Sequence, residues 1–211
     1  MPSADREKFV LRSTLTSPFG RKVRIAVEVL GLSDRVTVVP GNPLDENDTL
    51  RQQNPLGKMP CLVLADGNTI YDSGVIIEYL QDVAGSEALL PARGPARFKA
   101  LTLARLADGI TEAAILIVYE GRFRDDAATH SERWLTYQRG KIQRALAAFE
   151  TAPPDPAKTD IVTIGLACAL GYLDWRKGLD WRPIYPKLVA WFAAFAKNQP
   201  AFERSRAPQT T

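Results

Sequence analysis

The chain has 211 residues, 45% of them hydrophobic and 24% charged. That is enough apolar material for one large core or two smaller ones, and it excludes a disordered chain. The formal net charge of +3 is too mild to indicate nucleic acid as a partner.

The charge is uneven along the chain. Residues 1–88 hold nine Lys and Arg against twelve Asp and Glu, and the remainder holds 18 against 12. This change of sign suggests two units, the second with a basic, solvated surface. Two distant cysteines, Cys61 and Cys168, make no disulfide framework and suit a reducing, cytoplasmic setting. The opening "MPSADREKF" is polar and lacks the apolar core of a signal peptide. The longest apolar run, Ile161–Leu173, is too short for a membrane span and reads as a buried helix.

The elements follow in order. "KFVLRS", Lys8–Ser13, reads as a buried strand. From Ser17, apolar residues recur at Val23, Ala26, Val27 and Leu30, a helical spacing that Gly31 ends. "RVTVVP" is short and β-branched, a second strand. "LDENDTLRQQN" reads as a loose polar helix stopped at Asn54-Pro55. "PCLVLADGNTIYD" is a hairpin turning on Asp66-Gly67-Asn68. A further helix opens at Ser73, with Val75, Ile76, Tyr79 and Leu80 as its apolar stripe. The order is βαβ and then αββα. "AGSEALLPARGP" has no period and reads as a linker. Beyond it lie helices over Phe98–Gly121, Ser131–Thr151, Asp160–Asp174 and Pro186–Asn198. The boundaries are therefore 1–84 for an α/β domain, 85–93 for the linker and 94–211 for an all-helical domain.

Few residues offer chemistry of their own. His130 is the one histidine and reads as a surface side chain. No Cys/His set has metal-ligand spacing, and no glycine-rich phosphate loop follows a strand. Any nucleophile must be borrowed. Ser17-Pro18 is a common helix start, so Ser17 is a cap, a reactive-centre hydroxyl, or both. Pro60 precedes a strand. A cis Met59–Pro60 bond would leave the Met59 main chain free to pair with an extended ligand. Asp72-Ser73 opens a helix whose N–H groups and dipole suit an anion, and Ser73 is either a ligand or an ordinary cap. Cys61 and Cys168 read as small core residues.

Three segments, "SPFGRKVR", "NPLGKMPCL" and "YDSGVIIEYL", in this order and spacing resemble the cytosolic glutathione S-transferases; "YPKLVAWFAAFAKNQPAFERSRAP" adds a weaker match. The resemblance covers essentially the whole chain. It implies a thioredoxin-like domain with a mixed four-stranded sheet, followed by an all-helical domain. Glutathione is then the co-substrate, with no metal, and the protein is a homodimer that binds neither nucleic acid nor membrane. Asp72 would hold the γ-glutamyl ammonium, and Ser73 its carboxylate. Met59, before the family's cis proline at Pro60, would pair with the cysteinyl unit. Lys58 would reach the glycyl carboxylate or is only a loop lysine.

Ser17 falls where related classes carry a catalytic Ser or Cys. A hydroxyl donated to the glutathione sulfur favours the thiolate, as does a helix N-terminus. The thiolate attacks a small electrophile, and peroxide reduction is a related outcome. Ser17 cannot form the mixed disulfide of the Cys classes, and no first-strand Tyr is present; Thr14 and Thr16 are nearby substitutes. The acceptor pocket would involve Thr16 and Phe19 after the first strand, and Arg105, Asp108, Glu112 and Tyr119 on the first long helix. Arg21 and Arg24 read as solvent-exposed or as domain-interface ion pairs. In the buried helix Thr163 replaces the family's Asp, which implies a weaker capping box at Asp160. The same fold also serves non-catalytic interaction proteins, such as stringent-starvation proteins and the gamma subunit of a translation elongation factor; that is the alternative function.

Overall fold

The computed structural model describes residues 7–124 and 126–208. It divides into two compact units, one reaching to Leu90 and resuming at Ala201, the other Pro91–Pro200.

The first unit contains β1 (Phe9–Arg12), α1 (Pro18–Val29), β2 (Val36–Val39), α2 (Leu50–Gln53), β3 (Cys61–Val63), β4 (Thr69–Tyr71) and α3 (Ser73–Val83). The sheet runs β2-β1-β3-β4. Strands β1 and β2 are parallel, with Phe9 opposite Val36, and need α1 as their crossover. β3 lies antiparallel to both β1 and β4. Phe9, Leu11 and Leu62 from the sheet, Val23, Ile25 and Ala26 from α1, and Ile76, Ile77 and Leu80 from α3 form the buried core. Helix α1 ends in a Schellman motif. The Leu32 N–H reaches Val27 O at 2.9 Å and the Gly31 N–H reaches Glu28 O at 3.0 Å, with Gly31 at φ 68°.

Four expectations change here. The polar helix before Asn54 is confined to Leu50–Gln53; the Asp45 and Asp48 side chains bind backbone N–H groups two residues on, favouring turns over helix. The buried stripe of α3 is Ile76, Ile77 and Leu80, whereas Val75 is 51% exposed. The segment after α3 is also held in place. Gln81 Nε2 donates to Leu90 O at 2.8 Å, and its Oε1 accepts from Leu89 and Leu90 N–H at 2.9 and 2.8 Å, so both leucines are buried against the first unit. Finally, residues 201–208 belong with the first unit, not with the helices that precede them. The cause is Arg21, which is buried rather than solvent-exposed. Its Nη2 donates to Phe202 O at 2.6 Å, its Nε to Ser205 Oγ at 3.1 Å, and its guanidinium lies 3.8 Å from the Phe202 ring centroid. Arg24 donates to Leu15 O at 3.2 Å, and Arg204 pairs with Glu28.

The second unit contains α4 (Gly94–Phe123), α5 (Glu132–Thr151), α6 (Ile161–Arg176) and α7 (Pro186–Asn198); the five-residue helix α8 (Pro200–Arg204) begins at its end. Helix α4 packs on α5 and α6, and α7 packs on both of those. Helix α6 is apolar on all sides and buried from Ile161 to Leu170, as a central helix must be. Its capping box is complete, against the expectation of a weakened one. Asp160 Oδ1 accepts from Val162 and Thr163 N–H at 2.9 and 3.0 Å, and Thr163 Oγ1 accepts from Asp160 N–H at 3.0 Å. A hydroxyl oxygen is acceptor enough for the reciprocal bond. Among the described residues, no helix is long and apolar enough to cross a membrane.

Candidate functional site

The sheet register gathers the three motifs of the first unit. Arg12 at the end of β1 faces Cys61 at the start of β3, and Cys61 faces Tyr71 at the end of β4. The segments that leave these positions, Thr14–Ser17, Lys58–Pro60 and Asp72–Ser73, therefore emerge at one end of the sheet. Neighbouring strands lie about 4.8 Å apart, so three adjacent strands span roughly 10 Å.

Ser17 is half-buried and caps α1, its Oγ accepting the Gly20 N–H at 3.1 Å. The turn into α1 is tight. A Cβ added at Gly20 would come within 1.8 Å of Ser13 Oγ and 3.1 Å of Ser13 Cβ, so any larger residue here would force the Ser13 hydroxyl to turn away. Thr14 and Thr16 pair their hydroxyls at 3.2 Å, and Thr16 is exposed. Phe19 is half-buried, with Lys22 Nζ 5.7 Å from its ring centroid.

Met59–Pro60 is cis. Pro60 is buried, Met59 half-buried and Lys58 exposed. The Met59 N–H and C=O make no main-chain hydrogen bond among the described residues. Asn54, which the sequence reading treated only as a helix stop, holds this entry. It is buried, donates from Nδ2 to Lys58 O at 2.8 Å and accepts the Leu56 N–H at 3.0 Å.

Asp72, not Ser73, caps α3. Its Oδ1 accepts the Gly74 and Val75 N–H groups at 2.8 and 3.3 Å, and its backbone is held at φ 72°. Such a backbone on a non-glycine residue costs about 1–3 kcal/mol and concentrates at functional sites. Ser73 is buried as the first residue of the helix. Two helix N-termini thus open at this end of the sheet, neither with an acidic residue in its first turn. Together they supply positive potential and free N–H groups to an anion, with the Asp72 carboxylate beside them.

Arg12, which the sequence reading passed over, organises the loop next to these groups. Nη1 donates to Thr49 Oγ1 and Gln53 Oε1 at 2.8 and 2.7 Å; Nη2 donates to Asp48 Oδ1 at 2.6 Å and Pro40 O at 3.1 Å. Asp48 also accepts from Asn42 and Leu50 N–H. Those two backbone bonds, with Arg12 adding to them against partial burial, hold its carboxyl below the usual value of 3.8. The available signal was a lone arginine closing an apolar strand, "FVLR".

The acceptor candidates on α4 divide. Asp108 is buried and pairs with the more exposed Arg105 at 3.3 Å, while Glu112 and Tyr119 are exposed. His130 belongs to the second unit, with Nε2 3.2 Å from Arg124 O. Both cysteines are buried and unbridged. Burial raises the Cys61 thiol, against a smaller opposing effect of Arg12, so it is not a ready thiolate. Among the described residues no group of three or more His, Cys, Asp or Glu gathers as metal ligands would.

Comparison with known proteins agrees with this arrangement. Residues 16–83 match the family model of the glutathione S-transferase N-terminal domain. The GST-like protein YibF of Escherichia coli K12 is 35% identical over 201 residues, covering 90% of this chain and 98% of that protein. The chain belongs to the glutathione S-transferase family. Among solved structures, a glutathione transferase family member from Pseudomonas fluorescens Pf-5 with bound glutathione is similar at 40% identity and a TM-score of 0.88, covering 95% of this chain and 100% of that one. The same family member with bound S-(propanoic acid)-glutathione is similar at 39% identity and a TM-score of 0.84, with the same coverage. In this glutathione S-transferase family chain, the thioredoxin-like sheet and the helical unit match the architecture that the sequence motifs imply.

Proposed function

We propose that the protein is a glutathione transferase that binds glutathione at the gathered end of the sheet, holds its sulfur as the thiolate and joins it to a small electrophile. The observation that supports this reading is the register of Arg12, Cys61 and Tyr71, which brings the segments carrying Ser17, Met59 and Asp72 out at one end of the sheet. Relatives solved with glutathione and with a glutathione conjugate support it.

Each role follows from chemistry. Asp72 receives the γ-glutamyl ammonium. Capping uses one of its oxygens, and a carboxylate has about four lone-pair positions. Ser73 receives the γ-glutamyl carboxylate with its N–H and hydroxyl, since the Gly74 and Val75 N–H groups already donate to Asp72. Met59 pairs main chain to main chain with the cysteinyl unit, and Lys58 meets the glycyl carboxylate. Ser17 donates its O–H proton to the sulfur. The cap bond occupies a lone pair on Oγ, not that proton, so the hydroxyl serves both partners at once. The thiolate then attacks the electrophilic carbon; a C–S bond forms, and the leaving group departs with its electron pair or the adduct takes up a proton. By the same family relationship the enzyme works as a homodimer.

Calorimetric titration with glutathione tests the reading, with binding in the micromolar to low-millimolar range expected. No binding at millimolar glutathione overturns it. Binding without turnover across aryl halides and enones reassigns the protein to a glutathione-binding module.

A further inference from the structure

The loop between β2 and α2 contains no helix or strand, and the Met59 side chain rests against it. A Cβ built at Gly41 would stand 3.1 Å from Met59 Sδ and 3.4 Å from Leu50 Cδ2. Gly41 follows Pro40, whose carbonyl accepts from Arg12 Nη2 at 3.1 Å. On the other flank Arg12 Nη1 donates to Gln53 Oε1 at 2.7 Å. The next residue, Asn54, donates from Nδ2 to Lys58 O at 2.8 Å. That carbonyl belongs to the peptide unit that carries the Met59 N–H.

We propose that Arg12, braced by Asp48, is a positioning residue for glutathione. It sets the Lys58–Met59 peptide from two sides, through Gly41 and through Asn54, so that the Met59 N–H meets the cysteinyl carbonyl of the tripeptide. Arg12 has this role only if glutathione binds as proposed, and every residue in the chain of contacts belongs to the first unit.

Stability alone gives little reason for such a network. Arg12 is 8% exposed and pairs with Asp48 at 2.6 Å. A buried ion pair often stabilises a fold no better than apolar residues of the same volume. It does fix geometry, because a guanidinium donates from a rigid planar fork. Asp48 passes that geometry to the loop. Its Oδ2 accepts the Asn42 N–H at 2.8 Å and its Oδ1 the Leu50 N–H at 2.7 Å. One side-chain pair thus ties both ends of a segment that has no ladder or long helix of its own.

The Met59 peptide needs this control. A hydrogen bond weakens steeply when its angle at the hydrogen falls below about 120°, so a rotated Lys58–Met59 peptide loses the glutathione carbonyl. The Asn54 bond opposes that rotation. By polarising the same peptide unit it also makes the Met59 N–H a better donor.

The test compares two probes, γ-glutamylcysteinamide and γ-glutamylcysteamine, with glutathione titrated alongside. The probes differ by one carboxamide, whose oxygen is the acceptor for the Met59 N–H. The wild type should bind the carboxamide about two- to tenfold more tightly, the contribution of one neutral hydrogen bond. Arg12→Met releases both flanks and Gln53→Met only the Asn54 flank. Each should raise the Kd for glutathione by about the same factor and bring the ratio of the two probes close to one. Gln53→Glu keeps an acceptor for Nη1 and should keep the wild-type ratio. A merely structural loosening would weaken both probes alike and leave the ratio unchanged. Gln53 is half-buried, so its variants decide the matter even if Arg12→Met does not fold. A wild-type ratio in Gln53→Met, or a wild type that binds both probes equally, overturns the role of Arg12. If glutathione binds the wild type and Gln53→Met with one affinity, the positioning role falls and the transferase reading stands. If the wild type does not bind glutathione, both fall.

Discussion

Ser17 Oγ accepts the Gly20 N–H at 3.1 Å, which leaves its own proton directed by whatever else it meets. Capping uses a lone pair of this hydroxyl and the proposed sulfur activation would use its proton, so substitutions can separate them. Ser17→Ala removes both. Turnover with a model aryl halide should fall about 10–1000-fold, and stability should fall by about 1 kcal/mol, which a thermal melt reads as a few degrees. Ser17→Asp keeps a capping acceptor but has no proton to donate at neutral pH. Its melting temperature should stay near that of the wild type while turnover falls as far as in the alanine variant. Wild-type turnover in both would reduce Ser17 to a cap.

Asp72 caps α3 and, in the proposed function, meets the γ-glutamyl ammonium; Asn separates the two. Asparagine caps helices about as well as aspartate and is among the residues that most often adopt a positive φ. Asp72→Asn should therefore melt like the wild type but lose the charge opposite the γ-glutamyl ammonium. The Kd for glutathione should rise about tenfold or more, the value of a hydrogen bond to a charged group. Unchanged affinity by calorimetry would remove Asp72 from the binding site.

Asp48 links stability to acid. Its folded-state pKa lies below the ordinary value of 3.8, chiefly through the Asn42 and Leu50 backbone bonds. The unfolded chain thus binds the proton more readily. The contribution of Asp48 is fully present above about pH 4 and is lost as pH falls through the folded value. Melts between pH 5 and pH 3 should show the wild type losing more than Asp48→Asn, with the variant less stable at pH 7. Parallel acid profiles for the two proteins would refute this.

Gln138 on α5 is fully buried, and neither its Oε1 nor its Nε2 has a partner among the described residues. An amide buried without hydrogen bonds costs about 1–3 kcal/mol by mutational measures. Gln138→Met keeps the length and removes the polar atoms. It should raise the melting temperature by several degrees, given about 2–4 °C per kcal/mol for a chain of this size. A lower melting temperature would mean that the amide is satisfied in solution.

Some parts of the molecule were legible residue by residue. The Ser17 cap, the Gly31 helix end, the hairpin at Gly67 and the Asp160 start of α6 all match the structure, because each depends on partners within about five positions. The motifs around Pro60 and Asp72 were legible as chemistry, but that they meet was not. Their meeting depends on which strands pair and in what register, a property of the whole sheet. Arg12 went unrecognised for a similar reason: its partners lie 28 to 41 residues away.

The amino-acid sequence alone determined the order of strands and helices, the ends of α1 and α6 among them, and the family, since helical period, caps and turn residues are short-range signals. Tertiary structure alone decided which face of α3 is buried, that Gln81 fastens the segment after it, and that the tail from Ala201 returns to α1. Arg21 and Ser205 are 184 positions apart. No local pattern encodes such a contact, because it forms only when distant apolar and polar groups leave water together.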